Sequence, residues 1–257
     1  ALHRGPIVAV GISLGGNALM RWAGEMGEAA SKVVTAVASV CSPLDLVAGG
    51  RAIGRGFNRL VYTRMFLQSM KPKAMAKLAQ YPQLFDAQAL QAACDLHAFD
   101  DIFTAPLHGF KNAEDYWAKA SAKPHLHCIR IPALALNARN DPFIPAHSLP
   151  GTADVGLGVL LEQPEGGGHA GFPAAPFPGN LDWLPSRLHW FIVPSATREG
   201  PKRISSSEPT ASGAGAATVG GASRRSGSAS TGMIVPPVST TACSRAFSSS
   251  RTFPGQR

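Results

Sequence analysis

Ile7-Val8-Ala9-Val10-Gly11-Ile12-Ser13-Leu14-Gly15-Gly16-Asn17 decides how this chain is read. A short, β-branched apolar run enters a serine flanked by glycines, and a helix-compatible stretch follows from Ala18 to Glu28. That order is strand, sharp turn, helix. Gly-x-Ser-x-Gly at Gly11 to Gly15 has a mechanical reason. A side chain presented at the tip of a tight strand-to-helix turn needs small neighbours, because the backbone there passes through a strained conformation. The alternative for Ser13 is a plain βα turn with a capping serine. The strand and helix on either side favour an exposed nucleophile.

Val33 to Val40 (VVTAVASV) reads as a second buried strand, so the first forty residues form a βαβ unit with a parallel sheet. Ile131 to Leu136 (IPALAL) and Val155 to Leu161 (VGLGVLL) read as two more strands. The first ends in Asn137-Ala138-Arg139-Asn140-Asp141-Pro142, a turn by composition, and the second leads into Pro164-Glu165-Gly166-Gly167-Gly168-His169. Asp141 and His169 therefore lie on loops after later strands, in the order Ser, acid, His that a nucleophile elbow of this kind uses. Asp45, just after the second strand, is a rival acid. The three glycines before His169 suggest a backbone shaped for close approach, a setting the other seven histidines lack.

These roles define a chemistry. Ser13 becomes a nucleophile when His169 takes its proton, Asp141 fixes the histidine tautomer, and an acyl-enzyme follows. The backbone N–H of Leu14 is the expected oxyanion donor, together with one from a loop after an earlier strand. No cofactor or metal is needed. His125-Leu126-His127-Cys128 lacks a second cluster at ligand spacing, so it is not read as a zinc site.

Between about residues 44 and 127 the pattern is helical, which suggests an insertion capping the sheet. Phe57, Leu60, Val61 and Met65 recur at helical spacing with Arg55, Arg59 and Arg64 between them. Such a basic amphipathic helix could touch a lipid surface weakly, but an ordinary core face is the favoured expectation. Leu181 to Ile192 reads as a closing helix against the sheet, with Pro185 near its first turn.

The net charge of +8 raises the question of nucleic acid, yet the segment from Pro194 onward holds eight basic and two acidic residues, leaving the remainder at +2. A nucleic-acid partner is not expected. That segment, 194–257, is rich in Ser, Gly, Ala and Thr and reads as a disordered tail beyond a catalytic part at 1–193. Four widely spaced cysteines without a CxxC pair fit free thiols in a reducing compartment, hence a cytoplasmic expectation. No apolar run approaches the ~20 residues that span a bilayer. Ala1 is not an initiator Met and the first strand arrives at once, so further upstream sequence is expected. Oligomeric state is not readable.

Three stretches resemble the YheT-like α/β-hydrolases: GISLGGNALMRWAGE (Gly11 to Glu25), FDDIFTAPLHGFKNAEDYW (Phe99 to Trp117), and IRIPALALNARNDPFIP (Ile129 to Pro145) with PEGGGHAGF (Pro164 to Phe172). The resemblance spans roughly Pro6 to Val193. It implies a partial α/β-hydrolase fold, mostly parallel, with a helical cap, and an esterase or lipase acting on carboxylic esters. It places the triad on Ser13, Asp141 and His169. Family members carry further sequence before the elbow, including the oxyanion loop. Two other functions stay open at this stage: an inactive fragment or noncatalytic binding module of the same fold, and an acyltransferase using the same triad.

Overall fold

A computed structural model describes residues 5–175 and 179–197. They fall within the first of two compact units, Ala1–Ser212; the second, Gly213–Arg257, and with it nearly all of the expected tail, lies outside the described residues.

Four parallel strands stand in sequence order: β1 (Val8–Ile12), β2 (Ala36–Val40), β3 (Ala133–Leu136) and β4 (Val159–Glu162). All four lie on the apolar runs read as strands, with shifted ends. β2 starts at Ala36 because Gly27–Lys32 forms a 3-10 turn and Val33, more than half exposed, belongs to the approach. The two central strands are buried at every position, which explains their unbroken Ala/Val/Leu character. Their side chains alternate between two cores. Val37, Ala133 and Ala135 pack with Met20 and Ala23 of helix α1 (Leu14–Met26) on one face. Ala36, Ala38, Val40, Leu134 and Leu136 pack with Phe172 and Phe191 on the other. Phe191 belongs to the last helix described, α9 (Trp183–Thr197), which continues through Pro194 beyond the expected end at Ile192. This is a helix–sheet–helix layering, an α/β fold.

Between β2 and β3 the described chain is helical. The pieces are α2 (Leu46–Ile53), α3 (Gly56–Asn58), a π-helical turn at Arg59–Thr63, α4 (Arg64–Gln80), α5 (Ala87–Ala92), α6 (Leu96–Phe99), a π-helical turn at Asp100–Thr104, α7 (Ala105–Leu107) and α8 (Ala113–Ala120). Asp45, Asp86, Asp95 and Asn112 each accept a backbone N–H at the start of a helix. These helices hold two small cores of their own, one around Leu67, Leu90 and Phe99, the other around Leu46 and Trp117. Asn17 ties α1 to the end of this segment: its buried amide accepts from Ala122 N–H and donates to the Ala120 carbonyl, both at 2.9 Å.

One expectation is corrected here. The stripe Phe57, Leu60, Val61 and Met65 is not a core face. Phe57 is 69% exposed, Leu60 63% and Met65 55%, while the residue that turns inward is Leu67. Helical periodicity identifies a shared face but not whether anything covers it, and nothing among the described residues covers this one.

Candidate active site

The turn after β1 does what its glycines suggested. Ser13 sits at φ 53°, ψ −129°, a conformation that costs about 1–3 kcal/mol for a non-glycine residue. It is held by its N–H donating to the Val40 carbonyl of β2 at 2.9 Å and by its own carbonyl accepting from Gly16 N–H at 3.0 Å. The steric reason is partly different from the motif. A Cβ on Gly11 would lie 2.5 Å from the Gly16 Cα, and one on Gly16 would lie 1.9 Å from Ser42 Oγ, whereas a Cβ on Gly15 would meet nothing within 4 Å among the described residues. The second tight position is Gly16. Leu14 is the first residue of α1, so its N–H has no intrahelical acceptor, and it makes no hydrogen bond among the described residues.

Asp141 follows β3 and His169 follows β4. The Asp141 carboxylate is fully buried; Oδ1 accepts from Phe143 N–H at 2.8 Å and Oδ2 lies 2.8 Å from His169 Nδ1. His169 Nε2 lies 3.1 Å from Ser13 Oγ. The imidazole thus bridges a buried carboxylate and a hydroxyl. With its proton on Nδ1, it donates to Asp141 and presents an acceptor to Ser13. The rival Asp45 is engaged elsewhere, since its Oδ1 accepts from Ala48 N–H at 3.0 Å and caps α2. The structure therefore brings together Ser13, Leu14, Asp141 and His169, and leaves Asp45 out of the hydrogen-bonded chain.

The His169 loop needs two of its three preceding glycines. Gly167 and Gly168 have φ of 154° and 58°, and a Cβ on Gly167 would lie 2.5 Å from the Phe172 ring, while Gly166 has open space. Gly168 N–H donates to Asn140 Oδ1 at 2.8 Å, which clips this loop to the Asp141 turn.

Two residues around the site were not singled out from sequence. Cys41 directly follows β2 at φ 47°; its Sγ accepts from Ala170 N–H at 3.2 Å and faces the Gly168 carbonyl at 3.6 Å. Burial pushes this thiol up to about 11, with the Asp141 charge adding to the effect and backbone N–H groups opposing it, so it is a neutral packing group at neutral pH. Cys41, Asp141 and His169 lie close enough to share an ion, but His169 has both ring nitrogens engaged with Asp141 and Ser13. Cys94 is also a free thiol. Phe143 packs on His169, with ring centroids 4.6 Å apart. A run of polar letters around an Asp gives no sign of which aromatic will face the histidine.

A cavity of about 280 Å³ opens onto Ser13, Leu14 and His169, close to the lower end of the 300–1,000 Å³ usual for ligand sites. Its walls are mostly apolar, from Leu46 and Ile53 of α2, Phe66 and Met70 of α4, and Phe143 and Ile144 beyond β3. Asp100, Thr104 and Tyr116 add polar groups to these walls. Asp100 accepts from Trp117 Nε1–H at 2.8 Å, and burial raises its carboxyl above the ordinary range.

Comparison with known proteins points the same way. No family model matches the chain. YheT of Escherichia coli (strain K12), named an esterase, is 35% identical over 185 residues, which cover 71% of this chain and 54% of YheT. Phospholipase ABHD3 of Mus musculus is 27% identical over 73% of this chain and 45% of its own length. Monoacylglycerol lipase ABHD2 of Homo sapiens is 27% identical over 69% of this chain and 45% of its own. The chain spans about half the length of these relatives. Among the described residues no helix is long and apolar enough to cross a membrane.

Proposed function

The chain belongs to the YheT-like α/β-hydrolase family, and from that premise we propose that it carries the catalytic core of a serine hydrolase that cleaves carboxylic esters. One observation carries the reading: a single imidazole holds Asp141 at 2.8 Å and Ser13 at 3.1 Å, with Ser13 on a strained strand-to-helix turn at the mouth of an apolar cavity.

The proposed steps are those of acyl transfer. Ser13 Oγ attacks the ester carbonyl carbon while its proton passes to His169 Nε2. Asp141 holds the ring through Nδ1 and stabilises the imidazolium. The carbonyl oxygen, now an oxyanion, accepts from the free Leu14 N–H. As the tetrahedral state collapses, the alcohol leaves with the proton from Nε2 and the acyl group stays on Ser13. A water molecule, deprotonated by the same nitrogen, then attacks the acyl carbon; the bond to Ser13 Oγ breaks, Oγ regains the proton from Nε2, and the acid is released. The relatives' names as esterase, phospholipase and monoacylglycerol lipase support ester substrates in general. The cavity volume and its apolar walls favour a short or medium acyl chain.

The test is covalent labelling of the full chain by a fluorophosphonate, compared with Ser13→Ala and His169→Ala. Labelling that vanishes in Ser13→Ala and falls sharply in His169→Ala supports the proposal. Labelling that survives in Ser13→Ala would remove Ser13 from it. Replacing water with added alcohols and analysing the products separates hydrolysis from acyl transfer to an alcohol.

A further inference from the structure

The exposed face that begins at α3 has an unusual makeup. From Leu46 to Phe85 the chain contains no Asp or Glu but seven basic residues. None of the seven forms an ion pair among the described residues. Arg55, Arg59 and Arg64 are all exposed, and they alternate with exposed Phe57, Leu60 and Met65. Large apolar groups left in water beside guanidinium groups without a carboxylate partner are the composition of a helix that lies in a membrane interface, its apolar side chains among acyl chains and its cations among anionic headgroups. A protein partner with an acidic, apolar groove would need to match this pattern in shape, whereas a lipid surface needs only its charge and its depth.

From this charge and exposure we infer that the α3–α4 face of the cap docks on anionic lipid bilayers. The face is also joined to the site. The Phe57 ring meets Tyr62 edge-on at 6.3 Å, Tyr62 meets Phe143 at 4.6 Å, and Phe143 packs on His169 at 4.6 Å. Asn58 Nδ2 donates to the Pro142 carbonyl, next to Asp141, at 2.6 Å. Phe66, one residue beyond Met65, both reaches the surface and lines the cavity that holds Ser13. A docked cap would therefore place the cavity wall at the lipid boundary, so an ester drawn from the bilayer need not cross water. This last consequence rests on the ester-hydrolase reading; docking itself does not.

The experiment is co-sedimentation of the full chain with vesicles of phosphatidylcholine alone and of phosphatidylcholine mixed with phosphatidylglycerol, at low and high salt. Two variants accompany it: Arg55→Glu/Arg59→Glu/Arg64→Glu, and Phe57→Ser/Leu60→Ser. All five positions are exposed and none lines the cavity, so both variants should fold and retain hydrolysis of a water-soluble acetate ester. The expected result is binding to the anionic vesicles that weakens with salt and falls about tenfold or more in each variant. Equal binding to both vesicle types overturns the proposal. So does binding that survives both variants, which would place it on another basic part of the chain, such as the segment after Pro194. Absence of vesicle binding, with self-association that disappears in Phe57→Ser/Leu60→Ser, overturns it in favour of a second copy on this face. Loss of ester hydrolysis in the parent chain with vesicle binding intact sinks the enzymatic reading and leaves the docking surface standing.

Discussion

The Phe143 ring lies 4.6 Å from the His169 ring, centroid to centroid, while its own N–H donates to Asp141 Oδ1 at 2.8 Å. One residue therefore supports both members of the Asp141–His169 pair, the imidazole through its ring and the carboxylate through its backbone N–H. Phe143→Ala removes the ring and keeps the N–H. Kinetics on a soluble ester should show kcat falling by up to about 100-fold with the fold intact, because a loosened imidazole spends less time aligned with Ser13. An unchanged kcat would assign the ring to the cavity wall alone.

Asp141 and Asp45 offer a direct contest between acids. Asp141→Asn should lower kcat by about 10⁴-fold, since the amide favours the wrong histidine tautomer. Asp45→Ala should cost about 1 kcal/mol of stability through the lost α2 cap, with kcat nearly unchanged. Steady-state rates and denaturant midpoints on the two variants settle it, and the reverse pattern would exchange their roles.

Gly16→Ala should be among the most destabilising single changes in the described chain. The added methyl would sit 1.9 Å from Ser42 Oγ and 2.7 Å from the Gly11 carbonyl, with backbone on one side and a buried strand end on the other. Overpacking of this kind costs about 1–3 kcal/mol or more. A thermal melt within a degree of the parent would show that the elbow can open.

The thiols of Cys41 and Cys94 should separate cleanly. Cys94 is exposed, whereas Cys41 is buried with its thiol pushed up to about 11. Iodoacetamide at neutral pH should modify Cys94 and spare Cys41 until the chain is denatured, as peptide mass spectrometry would report. Rapid native modification of Cys41 would mean that the His169 loop opens readily.

His97 links α6 to α8, with Nδ1 3.6 Å from Asp101 Oδ2 and Nε2 hydrogen-bonded to Glu114. The Glu114 hydrogen bond raises its pKa above the ordinary value; burial opposes this, and the nearby Glu114, Asp101 and Asp95 charges add to the rise. A raised folded-state value means that the stabilisation is fully present below the unfolded imidazole value of about 6.5 and is lost as pH rises through the folded value. His97→Gln should therefore melt lower than the parent in mildly acidic buffer, and the gap should close in alkaline buffer. The difference will be small, because the pair is exposed and screened. A gap that widens with pH would contradict this account.

Much of the architecture was legible because it is local. An apolar run, a Gly-x-Ser-x-Gly turn and a helical stretch are neighbours in sequence, and their order implies a parallel βαβ unit and a serine at its tip. The loops after Leu136 and Leu161 announced themselves by Asp-Pro and by glycines. Other features depended on distant chain. The second close approach falls on Gly16 because Ser42, in the turn after β2, stands against it. Cys41 and Phe143 enter the site only because β2, β3 and β4, distant in sequence, align side by side. The stripe at Phe57, Leu60 and Met65 has the same periodicity whether it is buried or bare, so sequence could name the face but not its surroundings. Sequence alone determined the order of elements and which three side chains were chemically suited to act together, since backbone pattern and residue type are written along the chain. Only the tertiary structure decided that His169 reaches both Ser13 and Asp141 rather than Asp45, and that the basic apolar face lies open, because packing between distant segments sets distance and exposure.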